Sequence, residues 1–203
     1  MTTTVLLVRH GRTSSNVSGF YMGWSEEDLD ETGYEQARCL SARLAEWSIS
    51  SVYSSPLQRA RSTAGILAEP HGIEPELLED LIELGLGDWQ GLHAEEIKRR
   101  WPEIWQQSRI DPSELTMPHG ESFRQARERA VRALEQVLEA SRGKQVVVVT
   151  HEAIVKVLVA HVLGAPNSIY RRFAIDNASL SVVRVLDGKL RLITLNDTAH
   201  LQA

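Results

Sequence analysis

The chain has 203 residues, of which 42% are hydrophobic, a formal net charge of −5 at pH 7 and a single cysteine, Cys39. This length suits a single domain over 1–203. The acidic balance excludes nucleic acids and anionic membranes as expected partners, because both need a basic surface. One cysteine cannot form an internal disulfide, which favours a cytoplasmic location. We expect neither a membrane span nor a signal peptide, since no apolar run is long enough and the start lacks the basic pattern.

The first half of the chain alternates short apolar runs with amphipathic segments. A short continuous apolar run is typical of a strand that is covered on both faces. Apolar residues that recur every three or four positions predict a helix. The predicted elements are, in chain order, a strand at 4–8, a helix at 32–47, a strand at 51–55 and a helix at 56–72 that opens with Pro56 and closes with Gly72.

The second half continues this alternation after one irregular stretch. The region 84–120 holds three of the five tryptophans and three prolines, and we interpret it as a helical cover inserted into the fold. The elements predicted beyond it are a helix at 121–143, a buried strand at 144–150, a helix at 151–164 and a hairpin at 179–195 that turns at Asp187 and Gly188. Repeated strand–helix–strand units predict a three-layer α/β fold, with a mostly parallel sheet, helices on both faces and antiparallel C-terminal strands.

Cationic side chains follow three of the predicted strands. Arg9 and His10 come after the first strand, Arg59 lies one helical turn beyond the second, and His151 follows the third. Taken singly, such an arginine is usually a surface charge and such a histidine is usually structural. In an open parallel sheet, however, the carboxyl ends of the strands meet at the edge where ligands bind. We therefore expect these four side chains to converge on one site.

Two arginines and two histidines together suit the transfer of a phosphoryl group. Guanidinium groups bind phosphate oxygens in pairs and stay charged, and a deprotonated histidine is a competent nucleophile. A second, protonated histidine can stabilise charge on the transferring group. The leaving oxygen still needs an acid, and Glu83 is a candidate because apolar neighbours, Ile82 and Leu84, can raise the pKa of its carboxyl group. The alternative for Glu83 is an ordinary loop carboxylate.

Several motifs of the sequence resemble those of the histidine phosphatase superfamily, in the branch that includes cofactor-dependent phosphoglycerate mutase. They are Arg9-His10-Gly11 with Asn16 six residues after the histidine, SSPLQRARSTA at 54–64, ELGLGDWQG at 83–91, VVVVTHEAI at 146–154 and LNDTAHL at 195–201. The tripeptide alone would be a weak signal, but motifs in this order over nearly the whole chain are specific. Two positions depart from the family pattern, because Glu26 stands where aspartate is frequent and His119 replaces the first glycine of a Gly-Gly-Glu-Ser segment.

The resemblance implies a two-step phosphatase reaction. His10 would attack the phosphoryl group while Glu83 protonates the leaving alcohol, and water would then attack the phosphohistidine with Glu83 as the base. The residues implied to hold the substrate are Arg9, Asn16, Gly23, Arg59, Glu83 and His151. The resemblance implies no metal and no other cofactor, and the expected partner is a small phosphorylated metabolite.

The sequence leaves several alternatives open. A phosphoglycerate mutase would use the same phosphohistidine, but such mutases resemble longer chains with extra segments over the site, so the modest cover at 91–120 favours hydrolysis. A non-catalytic phosphate-binding regulatory module would be expected to lose a motif residue, and a metal-dependent hydrolase would need closely spaced ligands. Contacts of His119 and His200 with substrate also stay open, as does a homodimer. The metabolite itself is left open among phosphoglycerate derivatives, phosphoserine, a ribazole-type phosphate and a broad range.

Overall fold

Strands and helices alternate along residues 2–202, the part of the chain that the computed structural model describes. The strands are β1 (Thr4–Arg9), β2 (Phe20–Tyr21), β3 (Ile49–Ser54), β4 (Glu76–Leu77), β5 (Leu92–His93), β6 (Gln145–Thr150), β7 (Leu180–Leu186) and β8 (Lys189–Asp197). The α-helices are α1 (Ser14–Ser18), α2 (Glu31–Leu44), α3 (Gln58–Ala68), α4 (Ala94–Arg100), α5 (Pro102–Ile110), α6 (Phe123–Ala140) and α7 (Glu152–Val162). None of the helices in this part of the chain has the length and apolar character needed to cross a membrane.

The main sheet contains six strands in the order β4–β3–β6–β1–β7–β8. The four strands β4, β3, β6 and β1 are parallel, and β7 and β8 extend the sheet by antiparallel pairing. The register places Arg9 beside Thr150 and Ser54 beside Val149. The carboxyl ends of β1, β6 and β3 therefore lie next to one another, and the α/β fold predicted from the sequence is confirmed.

Both faces of the central strands are buried, which explains why their sequences are continuously apolar. In β1, Val5 and Leu7 pack with α6 and α7 on one face, while Leu6 and Val8 pack with α2 and α3 on the other. All four of these side chains are fully buried. The sheet is thus the middle of three layers, and it gives the residues at its carboxyl edge a rigid support.

The helical cover predicted at 84–120 is confirmed, and it consists of β5, α4, α5 and their connecting turns. β5 forms a separate two-stranded ladder with β2, which ties the cover to the segment that follows β1. Aromatic rings reinforce this junction, because the ring centroid of Tyr21 lies 6.0 Å from that of Trp89 and 5.8 Å from that of Trp105. The cover is therefore held beside the carboxyl end of β1.

Two of the predicted helix boundaries are wrong for a physical reason. The helix predicted at 32–47 ends at Leu44. Trp47 lies in the turn beyond the helix and packs against the core, so its position in the sequence has the spacing of a buried helical residue. Pro56 is not the first residue of α3, which begins two residues later at Gln58. The delay arises because the segment between β3 and α3 first forms a turn, in which the Leu57 N–H donates to Ser55 Oγ.

The C-terminal elements follow the prediction more closely. The helix predicted at 121–143 is two residues shorter at its start, because Ser122 is the N-cap and accepts a hydrogen bond from the Gln125 N–H. It also ends earlier, at Ala140. The hairpin turn is confirmed, since Asp187 and Gly188 have φ angles of 52° and 70°, the left-handed pair that a two-residue turn of this kind requires.

Replacing Gly33 with alanine should lower the free energy of unfolding by about 1–3 kcal/mol, because it overpacks a close backbone contact. A Cβ atom at Gly33 would overlap the Arg12 carbonyl oxygen, in the segment that follows β1. The matched control is Gly65→Ala in α3, where no described atom outside the adjacent residues and the helix's own backbone lies within 4 Å of the new Cβ. The better helix former should stabilise by up to about 1 kcal/mol. Thermal unfolding of both variants checks this, and equal midpoints would contradict the tight contact.

Candidate active site

A cavity of about 380 Å³ opens at the carboxyl ends of β1, β3 and β6. The residues predicted from the sequence that line it are Arg9, His10, Asn16, Gly23, Arg59 and Glu83. His151 lies beside them, with its ring centroid 5.1 Å from that of His10. The structure thus brings together all seven residues, and the volume suits a small metabolite.

His10 is held in one tautomer by a hydrogen bond to the backbone of the next residue. Its Nδ1 lies 2.7 Å from the Gly11 carbonyl oxygen, and because a carbonyl can only accept, Nδ1 carries the proton and Nε2 keeps its lone pair. The side chain is only 4% exposed. Burial lowers the pKa of His10 well below its usual value, and the charges of Arg9 and Arg59 lower it further. His10 is therefore neutral near pH 7, with a free nitrogen available for nucleophilic attack.

The two arginines are oriented by backbone carbonyls rather than left free to move. Arg59 donates from Nη1 to the Ser25 carbonyl at 2.9 Å and from Nη2 to the Gly23 carbonyl at 2.7 Å. Arg9 donates from Nη1 to the Ile175 carbonyl at 2.7 Å. These bonds fix the planar guanidinium groups on the wall of the cavity, where they can bind an anion with little loss of side-chain entropy.

The environment of Glu83 favours the protonated form of its carboxyl group. Burial raises the pKa of its carboxyl group, and this effect outweighs the Leu84 N–H bond and the charge of Arg59, which both lower it. The Leu84 N–H donates to Oε1 at 2.7 Å, which leaves Oε2 as the oxygen that can carry the proton. The expectation of a raised pKa from the apolar neighbours of Glu83 agrees with this direction.

The segment that carries Glu83 is anchored by a residue that the sequence did not reveal. Arg129 of α6 is 8% exposed, and its guanidinium donates to the carbonyls of Asp80, Ile82 and Glu83. Glu121 pairs with it through two bonds of 2.7 and 2.8 Å. An arginine on the buried face of an amphipathic helix is the signal that could have identified this anchor.

His151 differs from the expectation in its charge. The sequence suggested a protonated second histidine, but burial lowers the pKa of His151 well below its usual value, and Arg59 lowers it further. The ring is completely buried, and its Nε2 lies 2.7 Å from Ser55 Oγ. The expectation of a protonated second histidine is therefore corrected, because His151 is neutral where two arginines already supply positive charge to the same small volume.

Asn16 and Gly23 line the cavity and also support their neighbours. Asn16 Oδ1 accepts hydrogen bonds from the Thr13 N–H and from Asn177 Nδ2, so its own amide N–H₂ group is the part that can donate to a ligand. Gly23 has a φ angle of 51°, and its carbonyl orients Arg59. A side chain at Gly23 would meet Leu86 at 3.1 Å in addition to the backbone strain.

His119 and His200, whose contacts the sequence left open, do not line the cavity. His119 is exposed and pairs with Asp88 at 2.9 Å. His200 lies 3.0 Å from the Ala178 carbonyl oxygen and 3.3 Å from Arg43 Nη1, which ties the C-terminal turn to α2. Both histidines therefore have structural neighbours outside the site.

Five ionisable side chains of the cavity lining were not predicted from the sequence. These are Tyr21 from β2, Arg109 from α5, and Glu152, Tyr170 and Arg171 from α7 and the turn beyond it. Arg171 donates from Nε and Nη2 to the Ser108 carbonyl, which brings it next to Arg109. Glu152 lies two residues beyond the predicted strand 144–150, but the other four follow no predicted strand, so the pattern that identified His10 and His151 could not point to them.

Glu152 is a carboxylate with cationic side chains on both of its oxygens. Its Oε1 accepts from Lys156 Nζ at 2.7 Å, and its Oε2 lies 3.4 Å from Arg9 Nη1. Burial alone would raise the pKa of Glu152, but Arg9 and Lys156 lower it below its usual value. Glu152 is therefore ionised, and it adds a second anchor for Arg9.

Among residues 2–202, no three His, Cys, Asp or Glu side chains are grouped so that they could hold a metal ion.

Fold and site together define an α/β enzyme with a neutral histidine and two fixed arginines at the carboxyl edge of its sheet. The model of the histidine phosphatase superfamily (branch 1) matches residues 5–198. The chain belongs to this superfamily, and it is a hydrolase of the phosphatase class.

Similar proteins of known name agree with this assignment. The chain is 32% identical to phosphoserine phosphatase 1 of Hydrogenobacter thermophilus, over 97% of this chain and 93% of that protein. It is 35% identical to the metal-independent phosphoserine phosphatase of Arabidopsis thaliana, over 99% of this chain and 84% of that protein. The solved structure of YhfR from Bacillus stearothermophilus is similar with a TM-score of 0.95 and 29% identity, covering 98% of this chain and 100% of that one.

Proposed function

We propose that the enzyme hydrolyses small phosphomonoesters through a phosphohistidine on His10, without a metal ion. The main observation in support of the proposal is the tautomer of His10, because the Gly11 carbonyl holds the proton on Nδ1 and leaves Nε2 free. The neighbouring guanidinium groups of Arg9 and Arg59 line the same cavity and supply the anion site. Relatives that are named as phosphatases support the same reaction class.

In the first step, Nε2 of His10 attacks phosphorus as the bond from phosphorus to the leaving oxygen breaks. Arg9, Arg59, Asn16 and His151 hold the phosphoryl oxygens and stabilise their charge. Glu83 donates its proton to the departing alkoxide, so the product leaves as a neutral alcohol. The raised pKa of Glu83 favours the protonated form that this step needs.

In the second step, water replaces the alcohol in the cavity and attacks the phosphohistidine. Glu83, now a carboxylate, accepts a proton from that water, and the bond between phosphorus and Nε2 breaks. Phosphate leaves, His10 regains its lone pair, and Glu83 is protonated again. The cycle consumes one water molecule and returns every group of the enzyme to its starting state.

Phosphate release in the presence of a strong chelator tests the proposed function. A panel of phosphorylated metabolites with excess EDTA should yield inorganic phosphate at the rate seen without EDTA. The same samples should be assayed for interconversion of 3- and 2-phosphoglycerate with bisphosphoglycerate present. Efficient interconversion with little phosphate release would establish a mutase, and no turnover of any ester would favour a non-catalytic phosphate-binding module.

Charge balance in the cavity points to an acidic metabolite as substrate. Four arginines line the cavity together with only two carboxyl groups, those of Glu83 and Glu152, so positive charge is in excess. Arg9 and Arg59 lie near the nucleophile His10 and can bind the phosphate dianion. Arg109 and Arg171, which also belong to the cavity lining, are then available for a carboxylate on the substrate. A phosphorylated amino or hydroxy acid fits this requirement, in accord with the phosphoserine phosphatases among the relatives.

Replacing Arg109 with methionine should reduce kcat/KM for O-phosphoserine by about 10- to 100-fold, because a charge-assisted hydrogen bond is lost. Phosphoethanolamine lacks only the carboxylate, and its kcat/KM should stay within about threefold of the wild-type value. Arg99→Met on α4, where the exposed side chain pairs with Glu96, is the matched control. Equal losses for the two esters would contradict a carboxylate contact and leave the phosphatase reaction untouched.

The pH dependence of kcat/KM should have an alkaline limb that belongs to Glu83. Phosphoryl transfer needs Glu83 protonated, so its rate falls as the pH rises through the raised pKa of this group. His10 must be neutral, and its lowered pKa extends activity into the acid range. Dividing the pH profile of kcat/KM for the wild type by that for Glu83→Gln cancels the effect of the substrate's own titration. A ratio that is independent of pH would contradict the assigned role.

Three expectations from the sequence remain predictions. The single cysteine favours a cytoplasmic location, and cell fractionation of the tagged protein tests it. The homodimer that the sequence left open is tested by light scattering at concentrations that span those used for activity. The single domain expected over 1–203 is tested by limited proteolysis, which should yield no stable fragment.

A further inference from the structure

The hydroxyl of Ser55 contacts the second histidine of the site. Ser55 Oγ lies 2.7 Å from His151 Nε2, and both side chains are completely buried. Ser55 directly follows β3 and His151 directly follows β6, so the pairing of these neighbouring strands brings the two residues together. The adjacent Ser54 is equally buried, but its hydroxyl donates to the Ser55 carbonyl and not to the histidine.

The hydrogen bonds around Ser55 decide which atom of the pair donates. A serine hydroxyl has one hydrogen to donate and two lone pairs that accept. The Leu57 N–H donates to Ser55 Oγ at 3.3 Å, which occupies an accepting position. Within residues 2–202, His151 Nε2 is the one acceptor in reach of the hydroxyl hydrogen. Ser55 therefore donates to Nε2, and the proton of neutral His151 lies on Nδ1.

The protonated nitrogen of His151 lacks a partner within residues 2–202. Nδ1 is buried and has no hydrogen bond within the described part of the chain. A buried N–H without an acceptor costs free energy, so its retention next to the nucleophile indicates a ligand acceptor. The His151 ring lies 5.1 Å from the His10 ring, in reach of a phosphoryl group that bonds to His10. A proton on Nδ1 would bind a phosphoryl oxygen, whereas a lone pair there would repel it.

We propose that Ser55 is a positioning residue, which holds His151 in the Nδ1–H tautomer so that this N–H donates to a phosphoryl oxygen during transfer to His10. The kinetic part of this proposal rests on the proposed phosphatase function, but the tautomer can be observed without turnover. A fixed donor aimed at developing charge contributes about 10²- to 10³-fold to kcat. Loss of the Nδ1–H tautomer should therefore lower kcat by part of this factor.

Nitrogen-15 NMR of protein labelled at histidine tests the tautomer directly. His151→Asn assigns the His151 signals by their disappearance. The wild-type spectrum near pH 7 should show a neutral His151 with its proton on Nδ1, Ser55→Ala should lose that signature, and Ser54→Ala should keep it. A proton on Nε2 in the wild type, or an unchanged signature in Ser55→Ala, would overturn the proposal.

Kinetics of matched variants separate positioning from a merely structural role. Asparagine places its amide nitrogen near the position of Nδ1, whereas glutamine reaches that of Nε2, so His151→Asn should retain at least about tenfold more kcat than His151→Gln. Ser55→Ala should lower kcat about tenfold in the wild-type background. Adding it to His151→Asn should have no further effect, because the histidine that Ser55 orients is gone. If the losses in kcat caused by Ser55→Ala and His151→Asn were additive, the proposal would be overturned. If the wild type had no phosphatase activity, the proposed function would fail, but the NMR result on the tautomer would stay valid.

Discussion

Replacing His10 with alanine should lower kcat for phosphate release by about 10⁶-fold, the scale seen when a covalent nucleophile is deleted. The loss is expected to be this large because Arg9 and Arg59 bind the phosphate but cannot form a bond to phosphorus. For the same reason, affinity for inorganic phosphate should change by less than about tenfold, since both guanidinium groups keep their backbone partners. Phosphate release by stopped assay and phosphate binding by calorimetry measure the two effects.

The matched control for His10→Ala is His119→Ala. His119 is exposed and lies outside the cavity, so its loss should leave kcat within about threefold of the wild type. Thermal unfolding of both variants separates loss of chemistry from loss of fold. Substantial turnover by a folded His10→Ala protein would show that another group attacks phosphorus.

Replacing Glu83 with glutamine should lower kcat/KM by about 10²- to 10⁴-fold for alkyl phosphates. Glutamine has nearly the same shape but no proton to give to a poor leaving group. For p-nitrophenyl phosphate the loss should be no more than about tenfold, because a nitrophenolate leaves without protonation. The measurement is kcat/KM for a series of esters plotted against the pKa of the leaving alcohol, in which the slope should become steeper in the variant.

The control for Glu83→Gln is the second carboxylate of the cavity. Glu152 is ionised and paired with Lys156 and Arg9, so it has no proton to donate. Glu152→Gln should lower kcat/KM by a similar factor for all esters, through a less well held Arg9. Parallel lines for wild type and Glu83→Gln in the leaving-group plot would contradict the acid role of Glu83.

The fold and the catalytic edge of the site were predictable because both depend on local patterns. Buried parallel strands give continuous apolar runs, and the residues after them must lie at the carboxyl edge of the sheet, as Arg9, His10 and His151 do. Motif order along the chain then added Asn16, which lies in the short helix α1, and supported Glu83, which lies in a loop; neither residue directly follows a strand. The structure places all of them around one cavity.

The remaining features of the site depend on contacts between distant segments. Arg109 reaches the cavity only because β2 and β5 pair and hold the cover in place, and Arg171 reaches it through the Ser108 carbonyl. The charge of His151 depends on complete burial beside two arginines, which no local pattern indicates. Ser55 and Ser54 are adjacent and chemically identical, so their different roles appear only in the hydrogen bonds.

Isolation of the phosphoenzyme tests the central claim most directly. Glu83→Gln should accept phosphate quickly from p-nitrophenyl phosphate and release it slowly, because the variant also lacks the base that activates water. Quenching at alkaline pH preserves an acid-labile phosphohistidine, and mass spectrometry of the peptides locates it. We predict one phosphate per chain on His10 and none when His10→Ala is combined with Glu83→Gln. Phosphate on a different residue, or turnover with no covalent intermediate, would contradict the account.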